Sequence, residues 1–551
     1  MTVSILGSNR SATASGKRLR DGGACLIDSS GLHAIAEERL TRVKHDGGAD
    51  ASLDFVLGAA GITRADMWVQ TSCCEGLPVP ERSSRFDVGG SVAVGHHLAH
   101  ALSAFYPSPF ETAIVVVLDC GGTTLHGSDD DWWRNSREQA TYYLGRGSSL
   151  DVLEQDFVDP YSLGFGELFR AATHALGWPT ATKAGNTMAL AGLSEPYTGD
   201  LVYHVEGGRL AARVSVNPSE PINVARDVAR GVGLSFAPRP KGGEITAQHV
   251  RFAALIQESL YQALKWRVGQ LVEQTGVRTA CFAGGVALNC VALGRLLDEG
   301  IVDDIFVQPA AGDTGQCLGA ALAGAHKLGL NRFEIPGMLG FSPYLGGAYS
   351  DRLVGDAVAQ ARSDGAILRE DSGDPVRSAA QLVARGGTLG LVTGRSEFGP
   401  RSLGARSIIA DPRSISTRRR LTEFKGRDSF MPFAPSVLEE RVRDFFQSAG
   451  SNSMTIAVRA LPQASLAIPG VIHDDGTARI QSVGDKPALL RALIEEFDSI
   501  TGVPVVTNTS FNRAGEPIVE TPADAIRVLV ESSLDAVLFD DRLIFKANTT
   551  C

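Results

Sequence analysis

The feature that most constrains this chain recurs along its first 330 residues. A short aliphatic run ends in a glycine-bearing turn, and a helix-forming stretch follows. VSIL (residues 3–6) ends in Gly7-Ser8-Asn9, and ACLID (24–28) leads through a Ser-Ser-Gly turn into HAIAEERL. AIVVVLD (113–119) ends in Cys120-Gly121-Gly122, and TACFAGG (279–285) runs into VALNCVALGRLLDEG. DIFVQPAAGD (304–313) closes on Gly-Asp before LGAALAGAHKLG. Buried strands closed by such turns, with helices between them, specify an α/β fold. In such folds ligands sit beyond the carboxyl ends of the strands, where these turns fall.

The chain has 551 residues, enough for two large or three to four smaller domains. A stretch rich in Gly, Pro, Tyr and Ser at about 334–355 reads as a linker. A second α/β pattern follows, with a helix near 376–385 and then TLGLVTG. The expected domains are therefore 1–355 and 356–551. The net charge of −10 weighs against nucleic acid as a partner. The eight cysteines form no CxxC pair and read as buried thiols of a reducing compartment. The first residues lack a charged segment followed by an apolar one, so no secretory leader is expected. The longest aliphatic stretch, 113–118, is far below the roughly 20 residues of a membrane span. These features lead us to expect a cytoplasmic protein that does not contact a membrane.

The sharpest local motif is Gly95-His96-His97-Leu98-Ala99-His100-Ala101. On a helix, His96 and His100 share one face and can share a metal, while His97 is turned away by about 100°. There is no HExxH pattern, and the residue types suit zinc, iron or manganese alike. Asp119 and Asp313 each stand at the tip of a strand. A carboxylate there asks for a cation, although a helix cap or a turn role would also explain it. Gly121-Gly122 and Gly284-Gly285, the latter continuing to Asn289, allow close approach of a nucleotide phosphate, as simple turns also would.

The second half carries a dense basic stretch, Arg395 to Ser407, that includes Arg401 and Arg406. Lys425 and Arg427 follow in Phe-Lys-Gly-Arg-Asp, then Arg479 in GTARIQ, and finally Ser510 and Asn512 in NTSFN. These cations sit among Gly, Phe, Pro and Ile instead of other charges. Lys is scarce, with nine in the chain, so Lys425 stands out. Arginine forks and a lysine point charge in an acidic protein fit a phosphate-bearing small ligand better than a solvated basic face.

HHLAHA, VVVLDCGG, FAGGVALN, PAAGDTGQCLGAA, EFGPRSLGARSI, PFAPSVLEE and TNTSFNRAGEPIV occur in this order and cover most of the chain. Together they closely resemble the O-carbamoyltransferases of antibiotic and nodulation-factor biosynthesis. The resemblance implies an N-terminal ASKHA-type (actin/hexokinase-like) domain and a C-terminal YrdC-like α/β domain. It implies that carbamoyl phosphate and ATP give carbamoyl adenylate in the second domain, with release of phosphate and pyrophosphate. The first domain would then pass the carbamoyl group to a hydroxyl of a small-molecule natural product.

Carried over motif by motif, His96, His100, Asp119 and Asp313 would be metal ligands, for Fe2+ or another divalent metal, with Mg2+ accompanying ATP. Gly121, Gly122, Gly284, Gly285, Asn289, Arg401 and Arg406 would contact nucleotide or phosphate. Lys425, Arg427, Ser510 and Asn512 match the KxR and SxN elements, and Arg479 matches a carbamoyl phosphate contact. The chain departs from the family pattern where a His-Asp pair becomes Arg20-Asp21. Either the base lies elsewhere, or the acceptor differs, or a metal-bound phosphate takes the proton; Asp21 and His45 are the fallback candidates for the base, against an ordinary surface role. A Gly-Lys becomes Gly185-Asn186 with Lys183 nearby, and an Arg before PFAP becomes Met431. A fused tRNA threonylcarbamoyl-type enzyme and a silent nucleotide-binding regulator are the alternatives. Assembly as a homodimer is left open.

Overall fold

The computed structural model describes residues 3–9, 20–72, 86–123, 136–159, 161–217 and 220–546. Two compact units result, one of residues 1–33 and 47–341, the other of 34–46 and 342–551. The sequence reading put the break at 355. Residues 342–350 instead pack within the second unit. Tyr344 donates its hydroxyl to the Leu403 carbonyl at 2.8 Å, Gly346 N–H bonds the Ser396 carbonyl, and Arg395 reaches the Leu345 carbonyl at 2.5 Å. Glycine and proline there shape a packed loop that composition alone reads as a spacer.

The first unit holds two sheets. One comprises β1 (Ile5–Asn9), β2 (Gly23–Asp28), β3 (Gly31–Ala36), β4 (Met67–Ser72) and β5 (Ser91–Gly95), in the order β3-β2-β1-β4-β5. The other comprises β6 (Thr112–Leu118), β7 (Arg137–Arg146), β8 (Ser149–Val158), β9 (Thr279–Ala283) and β10 (Asp304–Val307), in the order β8-β7-β6-β9-β10. In both, the first strand pairs antiparallel with the second and parallel with the fourth, and the fourth is parallel to the fifth. The same order and directions twice over are the duplicated arrangement of the ASKHA fold. HAIA, read as the start of a helix, is the return strand of a hairpin, because Ser29 and Ser30 form a two-residue turn.

Small residues set how closely the layers approach. The helix α1 (His96–Phe105) packs against α2 (Gln316–Lys327), whose sequence QCLGAALAGAHK is nearly free of bulk. A Cβ added at Gly319 would lie 1.8 Å from the Ala99 carbonyl oxygen, and one at Gly7 would lie 2.1 Å from the Cys317 carbonyl oxygen. The backbones therefore meet directly, and the start of α2 is held beside the histidine face of α1. Gly319→Ala is expected to cost about 1–3 kcal/mol through overpacking. The urea midpoint would read that loss, and an unchanged midpoint would show that the helices can separate freely.

The second unit is built on one eight-stranded mixed sheet. Its strands are β11 (Leu368–Glu370), β12 (Leu389–Val392), β13 (Arg406–Ala410), β14 (Ala434–Leu438), β15 (Gln481–Val483), β16 (Val505–Ser510), β17 (Ala536–Leu538) and β18 (Leu543–Lys546), in the order β11-β18-β17-β12-β13-β16-β14-β15. Successive residues feed opposite faces: Ile408, Val537 and Ile544 join one apolar cluster, while Ile409, Leu538 and Phe545 join the other. The helices Asp351–Ser363 and Pro522–Glu531 supply the first cluster, and Pro375–Ala384 and Ala488–Thr501 the second. Both faces are covered, which accounts for strands such as β12 (LGLV) and β17 (AVL) that are apolar throughout. Among the described residues, Cys25, Cys120, Cys281, Cys290 and Cys317 form no disulfide with one another. No helix among the described residues is long and apolar enough to cross a membrane.

Candidate functional site

Helical spacing and strand tips converge in the first unit. α1 turns His96 and His100 to one side, Asp119 follows the buried strand β6, and Asp313 opens the short turn before α2. One donor atom from each of the four lies within 4.8 Å of all the others. His96 Nε2 is 3.1 Å from Asp119 Oδ2 and 3.6 Å from Asp313 Oδ1. His100 Nε2 is 3.2 Å and 3.5 Å from the same two atoms. Two ligands bonded to one divalent ion at roughly 2.0–2.2 Å stand about 3.0–3.5 Å apart, so the residues fit such an ion. Both histidines are buried. Burial pushes the Asp119 carboxyl up, but the hydrogen bonds and charge of His100 and His96 outweigh it and hold it well below the usual range. The carboxylate is thus ionised and ready to meet a cation.

Of three neighbours of this cluster, Gln316 and Glu167 are not read from the sequence, and His97 is read only as turned away from the His96–His100 face. Gln316, the first residue of α2, donates its side-chain N–H to Asp313 Oδ1 at 2.9 Å. His97 turns its Nδ1 to Thr141 Oγ1 at 2.8 Å and to Glu138 Oε1 at 3.2 Å. Burial, opposed by Glu138, lowers its pKa, so a neutral imidazole faces the carboxylate. Glu167 is fully buried, grips Arg170 through two bonds of 2.9 and 2.5 Å, and lies 3.9 Å from Cys120 Sγ. A glutamate inside an amphipathic helix carries no sequence signal of its own. Only the fold brings it beside the residue that follows Asp119.

The glycine turns divide by role. Gly122 touches His97: a Cβ there would come within 2.6 Å of the imidazole. Gly285 stands beside Asp119, 3.5 Å from its Oδ1 by the same measure. Gly284 has φ +91°, and a Cβ on it would collide with the Leu118 carbonyl oxygen at 2.1 Å, so only glycine fits. Gly121 lies between Asp119 and Gly122. Asn289 uses its amide oxygen and one amide N–H within the protein, which favours a structural role over the nucleotide contact expected from the sequence. Its Oδ1 caps the helix Cys290–Asp298 at Ala292 N and also accepts from Gln257, and its Nδ2 donates back to Gln257 at 2.9 Å. Asn289→Ala is expected to cost about 1–3 kcal/mol, as a lost cap and an orphaned Gln257, while nucleotide affinity stays unchanged. Equilibrium unfolding beside a nucleotide titration would separate the two.

Asp21 takes a left-handed backbone, φ +57°, and its carbonyl accepts from Asn9 Nδ2 at 3.2 Å. The same amide nitrogen donates to the Asp313 backbone carbonyl at 2.8 Å, so Asn9 bridges the backbone at Asp21 and at Asp313. Arg20 reaches Thr180 Oγ1 at 3.4 Å. His45 belongs to the second unit. Trp132 and Trp133 lie outside the described residues, as do Cys73, Cys74 and Cys551.

In the second unit Lys425 ends the helix α3 (Ile415–Lys425), where Gly426 at φ +52° stops it. Its Nζ is surrounded by the Ser510 carbonyl (2.8 Å), Ser510 Oγ (3.1 Å), the Asn512 carbonyl (2.7 Å) and Asn512 Oδ1 (2.7 Å). The KxR and SxN elements are therefore one site. Burial, then the charges of Arg427 and Lys44, hold the Lys425 pKa well below its ordinary value. Burial and the nearby Arg479 bring Arg427 down to about 10. Arg479 Nε is buried without a hydrogen-bond partner. Among the described residues no carboxylate forms an ion pair with Lys425, Arg427 or Arg479. A buried lysine beside two half-buried arginines, none of them ion-paired, favours an anion.

Arg406 is a correction. It is fully buried, and its guanidinium donates to the carbonyls of Glu520, Thr393, Gly347, Gly394 and Ala405. Those bonds pin the loop before β13 and leave no donor for a phosphate. Glu397, whose carboxylate accepts the N–H groups of Leu403, Ala405 and Arg406, shapes the same loop. Arg401 stands half-buried in it.

Comparison with known proteins follows this division into two units. Residues 83–322 match the family model described as carbamoyltransferase N-terminus, and residues 380–546 match carbamoyltransferase C-terminus. Nodulation protein NolNO of Sinorhizobium fredii is 33% identical over 567 aligned residues, covering 96% of this chain and 79% of that protein. Nodulation protein NolO of Bradyrhizobium diazoefficiens is 35% identical over 463 residues, covering 82% of this chain and 79% of that protein. Among solved structures, full-length HypF in a phosphate- and nucleotide-bound form superposes with a TM-score of 0.34 at 14% identity, covering 58% of this chain and 55% of that one. With matched models over both units and relatives of this similarity along most of its length, the chain belongs to the carbamoyltransferase family and is a carbamoyltransferase.

Proposed function

We propose that this carbamoyltransferase is ATP-dependent and transfers the carbamoyl group to a hydroxyl of a small-molecule natural product through carbamoyl adenylate. The observation that carries the reading is the buried Lys425 with the half-buried Arg427 and Arg479 near it, none of them ion-paired to a carboxylate among the described residues. Carbamoyl phosphate loses its phosphate to water in the second unit, giving carbamate and phosphate. A carbamate oxygen then attacks the α-phosphorus of ATP, and pyrophosphate leaves. Lys425 and the arginines offset the charge gathered on the transferring groups. Ser510 and Asn512 orient the lysine.

In the first unit the acceptor hydroxyl attacks the carbamoyl carbon and AMP departs. His96, His100, Asp119 and Asp313 would hold a divalent ion, Fe2+ among the candidates, which when bound supplies Lewis-acid polarisation beside the nucleotide phosphate. Gly121, Gly122, Gly284 and Gly285 allow the nucleotide backbone-close approach. Asp21, whose backbone carbonyl shares the Asn9 amide with that of Asp313, and His45 are the candidates for proton removal from the acceptor.

Incubation with ATP, Mg2+ and carbamoyl phosphate tests the first half. Pyrophosphate release that depends on carbamoyl phosphate is the expected result and needs no knowledge of the acceptor. Absence of release, with the nucleotide shown to bind, would overturn the adenylate route.

A further inference from the structure

We infer that Gln316 is a fifth protein ligand of the ion held in the first unit, acting through its side-chain oxygen Oε1. The inference rests on the metal reading of His96, His100, Asp119 and Asp313. Gln316 is 1% exposed and fixed at the first turn of α2. Its amide nitrogen donates to Asp313 Oδ1 at 2.9 Å, and stands 3.1 Å from His96 Nε2, 3.2 Å from His96 Nδ1 and 3.1 Å from His100 Nε2. One amide thus meets three of the four ligand candidates at once. At the other end of the group, Oε1 is buried and has no hydrogen-bond partner.

The chemistry of the two ends decides which one can face an ion. An amide N–H2 is a donor pair, and its hydrogens are repelled by a cation. An amide oxygen is an acceptor and an ordinary ligand of hard divalent ions. The side chain is enclosed, so it cannot swing out to solvent. A half-turn about its terminal Cγ–Cδ bond exchanges the two ends and puts Oε1 against the cluster. The donor set then becomes two imidazoles, two carboxylates and one amide oxygen. Zinc in protein sites prefers four ligands in a tetrahedron. Five donors, three of them oxygen, suit ions of higher coordination number such as Fe2+ or Mn2+. Gln316 would therefore bias which metal the site retains.

Cobalt(II) is the probe, because its visible band is intense in four-coordinate sites and weak in five- or six-coordinate ones. The full chain is freed of metal with a chelator and dialysed against Co2+. Wild type is expected to bind one ion with a weak band, and His100→Ala to lose it. Gln316→Leu is expected to bind roughly 10- to 100-fold more weakly, with an intensified band. Gln316→Glu keeps an oxygen of the same reach, and is expected to bind more tightly with the weak band retained. If Gln316→Leu binds Co2+ as tightly as wild type with an unchanged band, the amide is no ligand. Should the leucine variant not fold, Gln316→Glu decides alone, and affinity no higher than wild type overturns the assignment. Failure of wild type to bind Co2+ would instead sink the metal reading beneath it.

Discussion

Replacing Lys425 with alanine is expected to remove carbamoyl-phosphate-dependent pyrophosphate release by about 10²–10³-fold or more, the cost of losing one preorganised charge at a transferring group. The ammonium is placed by three separate pieces of sequence. Gly426 ends α3 at the right residue, β16 delivers Ser510, and the turn after it delivers Asn512. Lys425→Met keeps the buried stem and isolates the charge. Its urea midpoint should fall by the equivalent of about 1–3 kcal/mol, because the acceptors of Ser510 and Asn512 lose their donor. The pH dependence has a defined sign. Burial and the repulsion of Arg427 lower the Lys425 pKa in the free protein. An anion restores the protonated form, so carbamoyl phosphate should weaken as pH rises. The loss should begin below the range of an ordinary lysine. Calorimetric titration across pH would measure it. Affinity flat up to the ordinary lysine range would place the phosphate away from Lys425.

The parts legible in the sequence are those where chemistry and local geometry coincide. His96 and His100 show because four residues make one helical turn, and Asp119 because a carboxylate at the tip of VVVL is unusual. The KxR and SxN elements show because cations and amides sit among apolar neighbours. What stayed hidden was set by tertiary placement. Gln316 has no ligand signature, and its role comes only from α2 starting three residues after Asp313. Asn289 and Arg406 carry polar groups that suit a ligand, yet the fold spends them on Gln257, a helix start and loop carbonyls. Whether a polar side chain is free cannot be read from its type. The duplication of the five-stranded sheets was equally hidden. It is a repeat of strand order and direction, with different residues filling each copy. The packed stretch 342–350 misled for the opposite reason, since a tight loop and a loose one draw on the same residues.

His100→Ala is expected to separate the two half-reactions. His100 is fully buried in the first unit, and its Nε2 faces both Asp119 and Asp313. Its loss removes one ligand and one of the two imidazole bonds that hold Asp119 ionised. Bound divalent metal should fall well below one per chain. Transfer to a panel of sugar and macrocycle alcohols, followed as AMP release, should fall by about 10²-fold or more. Pyrophosphate release should stay within about twofold of wild type, because none of the groups around Lys425 lies in the first unit. A buried imidazole replaced by alanine leaves a cavity that costs a few kcal/mol. Asp119→Asn, which keeps the volume and removes the charge, controls for that loss and should give the same pattern. Lys425→Ala should give the reverse, with metal bound and no pyrophosphate formed. If His100→Ala and Lys425→Ala lose the same step, adenylation and transfer do not reside in separate units, and the assignment of one chemistry to each falls.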